Sequence, residues 1–339
     1  MRVLLSGGAG FIGSHVAERY LAGGWNVVVV DDLSTGRREN VPDGAELVVA
    51  DLSEPHLDRV LANVAFDLVN HHAAQIDVRA SVRDPAHDAR LNLIGLLNLL
   101  EVARARGMPP VVFASSGGVL YGEADVIPTP ETAPKVPISP YGVAKLASEY
   151  YLRYYAEVHG LRYVALRYGN VYGPRQNPEG EAGVISIFCN RILEGASLTV
   201  FGTGDQERDF VYAGDVAEVN WLASQALASG WDGREERGDP LSVPIGAPAG
   251  EEGDAVDPAA LNVGTGRAVS VLDLVLALGG VTGRKLERRH DAARPGELLH
   301  STLDASKAAR RLGWAPRTPF LEGLDATFRW VSESRGDSR

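Results

Sequence analysis

Gly7-Gly8-Ala9-Gly10-Phe11-Ile12-Gly13 is the stretch that decides the fold, because it joins a short apolar run, residues 2–6, to a helix-sized segment. A second apolar run, residues 27–31, follows that segment, and both runs have the length and composition of buried parallel strands. Small residues in such a turn let backbone N–H groups approach a pyrophosphate, and the helix N-terminus adds favourable electrostatics. The stretch therefore predicts a dinucleotide-binding unit, although a tight turn without a ligand would use the same residues.

Two carboxylates follow the glycines at the spacing of a ribose-binding residue. Asp31 and Asp32 end the second strand about twenty residues after the turn, where a carboxylate can accept hydrogen bonds from the adenosine ribose. A carboxylate there repels a 2′-phosphate, so NAD is favoured over NADP. The neighbouring Arg37 and Arg38 keep NADP open as the alternative.

The apolar runs continue in regular alternation with helix-sized segments. Further strands are predicted at residues 46–50, 67–70, 111–114 and 163–167, and helices at residues 90–106 and 141–159. This order predicts an α/β fold, a doubly wound parallel (Rossmann) sheet with a smaller C-terminal substrate-binding lobe. We expect an NAD-binding domain at 1–170, a second lobe mainly at 171–339 that need not be contiguous, and an exposed acidic insertion at 229–258.

Composition narrows the class of protein. The 339 residues are 45% hydrophobic and 23% charged, the balance of a folded globule, and the net charge of −11 argues against a nucleic-acid partner. Cys189 is the only cysteine, which fits a reducing compartment. The apolar run after Met1-Arg2 is only Val3-Leu4-Leu5, too short for the core of a signal peptide, and no apolar window has the length of a membrane span. We therefore expect a cytoplasmic protein without a membrane partner.

Tyr141 and Lys145 form a Tyr-x-x-x-Lys pair at the start of a predicted helix, after Ser139-Pro140. Residues four apart share one helical face, so the ammonium group can lie near the phenol oxygen. A positive charge there lowers the pKa of the phenol, as a general base for an alcohol requires. A surface pair with this spacing is common, and the preceding dinucleotide-binding half is what favours a catalytic role.

These motifs together resemble the extended short-chain dehydrogenase/reductase family, within which the pattern is most similar to nucleotide-sugar 4-epimerases of the UDP-glucose 4-epimerase branch. The motifs are the glycine-rich turn, Ser115-Ser116 before Tyr121-Gly122, Tyr141-x-x-x-Lys145, and Leu166-Arg167-Tyr168-Gly169-Asn170-Val171-Tyr172-Gly173. Later signatures agree: Gly202-Thr203-Gly204 before Arg208-Asp209-Phe210-Val211, Leu261-Asn262-Val263-Gly264-Thr265-Gly266, and Arg294-Pro295-Gly296-Glu297 before Asp304-Ala305-Ser306-Lys307. The resemblance covers nearly the whole chain, with 229–258 as the main exception.

The resemblance implies an NAD-dependent isomerase, a homodimer that interconverts UDP-glucose and UDP-galactose through a transient 4-keto sugar. Tyr141 is then the base and Lys145 binds the nicotinamide ribose while tuning Tyr141. The residues implied to line NAD are Gly7, Gly10, Phe11, Ile12, Gly13, Asp31, Asp32, Ser34, Gly36, Asp51, Leu52, Ala73, Ala74, Gln75, Asn92, Ser115, Tyr141, Lys145 and Tyr168. The residues implied to bind the UDP-sugar are Ser116, Asn170, Val184, Arg208, Arg294 and Ser301.

Two positions depart from the pattern of such epimerases. Four residues before Tyr121, where they commonly place a Ser or Thr that contacts the reacting hydroxyl, this chain has Gly117, so Ser116 or a water must substitute. Ser301 stands where some 4-epimerases carry a bulky Tyr. A small residue leaves room at the C2 substituent, so N-acetylated UDP-hexoses are expected as further substrates.

Three alternatives stay open: a nucleotide-sugar 4-reductase, a UDP-uronate 4-epimerase, and a catalytically idle NAD-binding regulator. Gly117-Gly118-Val119 lacks the acidic groups that related dehydratases and decarboxylases present there, which favours epimerisation. His71-His72 suggests a metal, but neighbours on a strand point to opposite faces and no further ligands follow at suitable spacing, so no metal is expected.

Overall fold

The computed structural model describes residues 1–178, 183–232, 256–294 and 298–336. The strands are β1 (Arg2–Ser6), β2 (Asn26–Asp31), β3 (Glu46–Val49), β4 (Leu68–His71), β5 (Val111–Ser116), β6 (Tyr163–Tyr168), β7 (Asn170–Tyr172), β8 (Leu198–Phe201), β9 (Glu207–Tyr212), β10 (Ala260–Val263), β11 (Ala268–Ser270) and β12 (Arg288–Asp291). The helices are α1 (Phe11–Ala22), α2 (Leu57–Val60), α3 (Val78–Arg83), α4 (Pro85–Ala89), α5 (Gly95–Arg104), α6 (Gly117–Leu120), α7 (Pro140–His159), α8 (Val184–Leu193), α9 (Ala213–Ala228), α10 (Val271–Thr282), α11 (Ser306–Leu312) and α12 (Phe320–Gly336).

Seven parallel strands form the central sheet, in the order β10-β6-β5-β4-β1-β2-β3. Alternate residues of the same strand feed two different cores, since Leu5 packs with α1 and α9 on one face while Leu4 packs with α5 and α7 on the other. The doubly wound parallel sheet predicted from the sequence is confirmed. Its strand order places the switch in winding direction between β1 and β4, where such sheets bind ligands.

The helix predicted at residues 141–159 is α7, and local chemistry sets both of its ends. The Ser139 hydroxyl accepts a hydrogen bond from Gly142 N, and Pro140 occupies the first turn. Gly160 ends the helix in the left-handed conformation, with a φ of 71°. These are the signals by which the sequence located the helix.

The helix predicted at residues 90–106 begins earlier and is not uniform. Asp84 caps α4 by accepting a hydrogen bond from His87 N, with Pro85 at the first helical position. A π-helical turn, Arg90–Ile94, then connects α4 to α5. The single-helix prediction was therefore wrong at its start, because it overlooked the Asp84-Pro85 start signal.

The later part of the chain builds a smaller region with its own core. A three-stranded sheet, β11-β9-β7, and a two-stranded sheet, β12-β8, pack with α8, α10 and α12. Two elements from this part return to the large sheet: β10 pairs with β6, and α9 packs against α1.

The insertion predicted at 229–258 falls largely on residues 233–255, which lie outside the described residues. Val256 and Asp257 are buried, whereas the sequence predicted exposure for them. Within the described ranges, no helix has both the length and the apolar composition needed to cross a bilayer.

Candidate functional site

A cleft of about 500 Å³ lies where the carboxyl ends of β1 to β5 meet. Its wall includes the glycine-rich turn after β1, Asp31 and Asp32 at the end of β2, Asp51 after β3 and Ser115 near the end of β5. Tyr141 and Lys145 reach the same cleft from α7. The fold thus collects the sequence-predicted groups at the edge of the sheet where ligands bind in such folds.

Packing explains the glycines of the turn. A Cβ on Gly13 would lie 2.1 Å from the Gly7 carbonyl oxygen, and a Cβ on Gly7 would lie 2.6 Å from Ala73 N. Gly7 also has a φ of 72°, which favours glycine. Gly10 is the N-cap residue of α1, and because it has no side chain it gives the helix no capping hydrogen bond. The first N–H groups of α1 therefore need an acceptor, and an anionic pyrophosphate supplies one.

The two carboxylates at the end of β2 differ in their surroundings. Asp31 is buried and accepts hydrogen bonds from Ala9 N at 3.0 Å and Leu33 N at 2.9 Å, and its burial raises the pKa of its carboxyl. Asp32 is exposed and accepts from Ser34 N and the Ser34 hydroxyl. Asp31 therefore shapes the glycine-rich turn as well as the cleft wall.

Tyr141 and Lys145 lie on one face of α7, and both are buried. Lys145 Nζ donates to the Ala114 carbonyl oxygen at 2.8 Å and lies 5.9 Å from the centre of the Tyr141 ring. Burial lowers the pKa of Lys145 to about 8, while the Asp88 and Glu149 carboxylates raise it. The ammonium therefore lies beside the Tyr141 ring, and a positive charge near a phenol favours its phenolate form.

A contact with Leu303 explains why position 117 holds Gly and not the Ser or Thr that was expected there. A Cβ on Gly117 would lie 2.5 Å from Leu303 Cδ1, so the Leu303 side chain fills the space that a larger residue would need. Ser116, the last residue of β5, is the residue before α6. Ser116 Oγ and Asn170 Oδ1 both lie 3.9 Å from where a Gly118 Cβ would be, so these two polar side chains flank one small residue.

Most residues implied to line NAD do border the cleft. They are Gly7, Gly10, Phe11, Ile12, Gly13, Asp31, Asp32, Ser34, Asp51, Leu52, Ala73, Ala74, Gln75, Ser115, Tyr141, Lys145 and Tyr168. Asn92 lies behind the wall, where its side-chain amide bonds the backbone N–H and carbonyl of Gln75. Gly36 packs against Asp31, since a Cβ there would lie 2.8 Å from Asp31 Oδ1.

The residues implied to bind the UDP-sugar lie outside this cleft wall, mostly in the smaller region. Arg208, on β9, donates to the Leu298 carbonyl oxygen at 2.9 Å. The next residue, Asp209, donates its N–H to the Ser301 carbonyl oxygen, so Arg208 and Ser301 lie on neighbouring stretches of backbone. Arg294 stacks over the Phe201 ring at 3.7 Å, and Val184 begins α8.

The sequence prediction missed several residues at or behind the cleft. His72 lines it, while Asp88 and Glu149 act on Lys145 from behind. The spacing Tyr-x-x-x-Lys-x-x-x-Glu was a usable signal for Glu149, since a third residue four further on shares the same face of α7.

The histidine pair is engaged in the protein's own hydrogen bonds. His71 Nδ1 lies 2.6 Å from the Ser6 hydroxyl, and His72 Nε2 lies 3.1 Å from the Tyr168 hydroxyl. Burial and the nearby Lys145 lower the pKa of His72 to about 3. Among the side chains that the structure describes, no group of three or more His, Cys, Asp or Glu could hold a metal ion.

A doubly wound sheet with this glycine-rich turn and a buried Tyr-Lys pair defines a dinucleotide-dependent enzyme of the short-chain dehydrogenase/reductase type. The sequence matches the NAD dependent epimerase/dehydratase family over residues 3–235. The chain belongs to that family.

Several solved structures are similar over almost the full length of the chain. A UDP-glucose 4-epimerase from Thermotoga maritima, solved with UDP-glucose, is 39% identical, with 99% of this chain and 100% of that chain covered and a TM-score of 0.87. A UDP-glucose 4-epimerase from Thermus thermophilus, in complex with NAD, is 40% identical, with 98% and 99% covered and a TM-score of 0.84. A UDP-N-acetylglucosamine 4-epimerase from Methanobrevibacter ruminantium, in complex with UDP-N-acetylmuramic acid, is 29% identical, with 98% of each chain covered and a TM-score of 0.85.

Proposed function

We propose that this protein is an NAD-dependent nucleotide-sugar 4-epimerase that interconverts UDP-glucose and UDP-galactose through a 4-keto sugar. The observation that carries the proposal is the buried Lys145 ammonium beside Tyr141 in a cleft built to hold a dinucleotide. The similar structures solved with UDP-glucose and with NAD support this choice of substrate and cofactor.

The residues of the cleft fit NAD. The close approaches at Gly7 and Gly13 and the uncapped start of α1 suit a pyrophosphate, and the carboxylates of Asp31 and Asp32 suit the adenosine ribose. When bound, NAD supplies the group that accepts a hydride and later returns it. In this function Lys145 bonds the nicotinamide ribose.

The chain's own residues handle the proton. Tyr141, as phenolate, removes the proton from the C4 hydroxyl of the sugar, and the Lys145 ammonium stabilises that phenolate. Ser116 holds the reacting oxygen, because Leu303 leaves no room for a hydroxyl at Gly117. The 4-keto sugar then turns so that its other face is presented, and as C4 is reduced again Tyr141 returns the proton to the C4 oxygen.

The nucleotide is held by the smaller region. Arg208 and Arg294 supply guanidinium groups for the diphosphate, with Asn170 and Val184 at the uridine side. This assigns residues 1–170 mainly to NAD and residues 171–339 mainly to the UDP-sugar. Tight binding of UDP leaves the sugar free to rotate while it stays near Tyr141.

Ser301 widens the choice of sugar. A small side chain near the C2 substituent admits an N-acetyl group, and a structurally similar protein is named for UDP-N-acetylglucosamine. We therefore include UDP-N-acetylglucosamine and UDP-N-acetylgalactosamine among the substrates. If UDP-galactose is turned over and neither N-acetylated sugar is, this part of the proposal is wrong.

The test is to incubate the protein with a small panel of UDP-sugars, without added cofactor, and to identify the products by chromatography. An epimerase converts UDP-galactose to UDP-glucose and keeps its NAD. A 4-reductase would consume reduced cofactor in proportion to product, a uronate epimerase would act only on UDP-uronic acids, and an idle regulator would bind NAD without turnover.

We also propose a cytoplasmic homodimer that pairs α5 and α7 with their copies. Tyr150, Tyr151 and Tyr154 are 44%, 41% and 47% exposed on α7, and with Ala147 they line one shallow apolar depression. Large aromatic side chains exposed together are typical of a protein interface.

A further inference from the structure

A second polar cluster lies directly behind the cleft, on the helix that carries Tyr141 and Lys145. Glu149 follows Lys145 by four residues, so the three side chains share one face of α7. The Glu149 side chain is fully buried. A buried carboxylate next to a catalytic pair must be held by partners, because burying an unpaired charge is costly.

Both carboxylate oxygens of Glu149 have defined partners. Oε1 accepts from the Ser115 hydroxyl at 2.5 Å and from Arg167 Nε at 3.1 Å, and Oε2 accepts from Arg167 Nη2 at 2.6 Å. Ser115 lines the cleft, so Glu149 connects the cleft wall to a buried ion pair. Because the Ser115 proton is committed to Glu149, Ser115 Oγ can only accept a hydrogen bond from a ligand.

Arg167 is itself fixed on every side. Its Nη1 donates to the Tyr121 hydroxyl at 2.9 Å and to the Glu131 carbonyl oxygen at 3.1 Å, and its Nη2 donates to Asp257 Oδ1 at 2.9 Å. With the two bonds to Glu149, all five N–H groups of the guanidinium have an acceptor. Glu149 is therefore held in one position.

The charged and titratable groups around Lys145 come from three elements. Asp88 approaches from α4, Glu149 from α7, and His71 and His72 from β4. Burial and Lys145 keep the pKa of both histidines low, so these two rings are neutral near pH 7. The carboxylates of Asp88 and Glu149 are thus the groups that offset the desolvation of the ammonium.

We propose that Glu149 is a positioning residue for the reaction, which orients the Ser115 hydroxyl and sets a carboxylate one helical turn from Lys145, without touching substrate or cofactor. This inference rests on the proposed function, since it matters only if Lys145 must be charged beside Tyr141. It assigns a purpose to a fully buried ion pair whose formation alone would add little stability.

Lysine titration tests the charge effect directly. The chain has four lysines, Lys135, Lys145, Lys285 and Lys307, so ¹³C labelling of lysine gives four signals, and Lys145→Arg identifies the relevant one. In Glu149→Gln the pKa of Lys145 should fall, because a nearby opposite charge is removed. Glu157→Gln is the matched control on the same helix, where Glu157 pairs with Arg153 at 3.9 Å, and it should leave the Lys145 titration unchanged.

Turnover gives the second readout. In Glu149→Gln the fall of kcat at alkaline pH should begin at a lower pH, in step with the lysine titration, while KM changes little. Glu149→Asp keeps the charge but withdraws the carboxylate by one methylene, so Lys145 should titrate as in the unaltered protein while kcat falls about 10-fold, as expected of a misplaced group near a reacting centre.

Two results would overturn the proposal. One is an unchanged Lys145 titration in folded Glu149→Gln; the other is an unaltered kcat in Glu149→Asp. If Glu149→Gln does not fold, Ser115→Ala decides, since it should lower kcat as much as Glu149→Asp does, and combining the two changes should add nothing. Loss of the epimerase assay itself would contradict the proposed function but would leave the lysine titration fully readable.

Discussion

At the scale of single residues, the proposed chemistry centres on a phenol and an ammonium group that the chain buries together. The sequence identified Tyr141 and Lys145 because four-residue spacing on a helix is a local property. It did not identify Asp88, because that carboxylate reaches Lys145 from a different helix. Contacts between elements distant in sequence are what local patterns cannot show.

Replacing Tyr141 with Phe should sharply slow epimerisation while leaving NAD in place. The ring and its packing are kept, and only the proton acceptor is removed, so kcat should fall by about 10²- to 10⁴-fold. Product chromatography measures the loss, and the NAD content of the purified protein serves as the control. Turnover equal to that of the unaltered protein would remove Tyr141 from the mechanism.

Turnover should also fall as the pH rises through about 8. Burial lowers the pKa of Lys145 to about 8, so the side chain is charged below that pH and neutral above it. A neutral amine cannot stabilise the Tyr141 phenolate, and the alkaline fall of kcat should therefore follow the lysine. A kcat that stays constant up to pH 10 would contradict this assignment.

At the scale of elements, the sequence predicted those with strong local signals and missed those that depend on contacts between distant parts of the chain. The sequence predicted the strands of the first half and α7 well, because buried parallel strands and a capped helix carry strong local signals. It did not predict β10, whose pairing with β6 brings together residues almost a hundred positions apart, or the π-helical turn before α5. Nor could it show that Leu303 covers Gly117.

The contact between α6 and Leu303 makes a prediction about packing. Gly117→Ala should destabilise the fold by about 1–3 kcal/mol, since the new methyl group would overlap the buried Leu303 side chain. Gly118→Ala is the matched control, because the nearest atoms to its Cβ lie 3.9 Å away. Urea unfolding of both variants measures the difference. Equal stability of the two would show that Leu303 moves aside freely.

At the scale of the whole molecule, the two halves of the chain are joined by buried charges as well as by strand pairing. Asp257, from the later half, pairs with both Arg167 and Lys135 of the first half. The composition of the sequence predicted a folded globule. No local sequence pattern predicts these ion pairs, because each one joins residues that are far apart in the sequence.

The exposed tyrosines of α7 predict the oligomeric state of the protein. Tyr154→Glu should convert the proposed homodimer to a monomer, because burying an unpaired carboxylate in the interface formed by the α7 tyrosines is costly. Leu276→Glu is the control, because Leu276 is 68% exposed and lies on α10, not on the proposed interface. Sedimentation equilibrium reports the mass of each. A monomeric mass for the unaltered protein at micromolar concentration would refute the proposed homodimer.

The pairing of β10 with β6 determines where the chain can be truncated. Residues 260–263 cover one side of β6 along its last four positions, from Ala165 to Tyr168. A fragment that stopped at residue 170 would leave that side of β6 as a bare edge, with unpaired N–H and C=O groups on an apolar strand. Such a fragment would aggregate when expressed alone, even though it contains every glycine of the nucleotide turn.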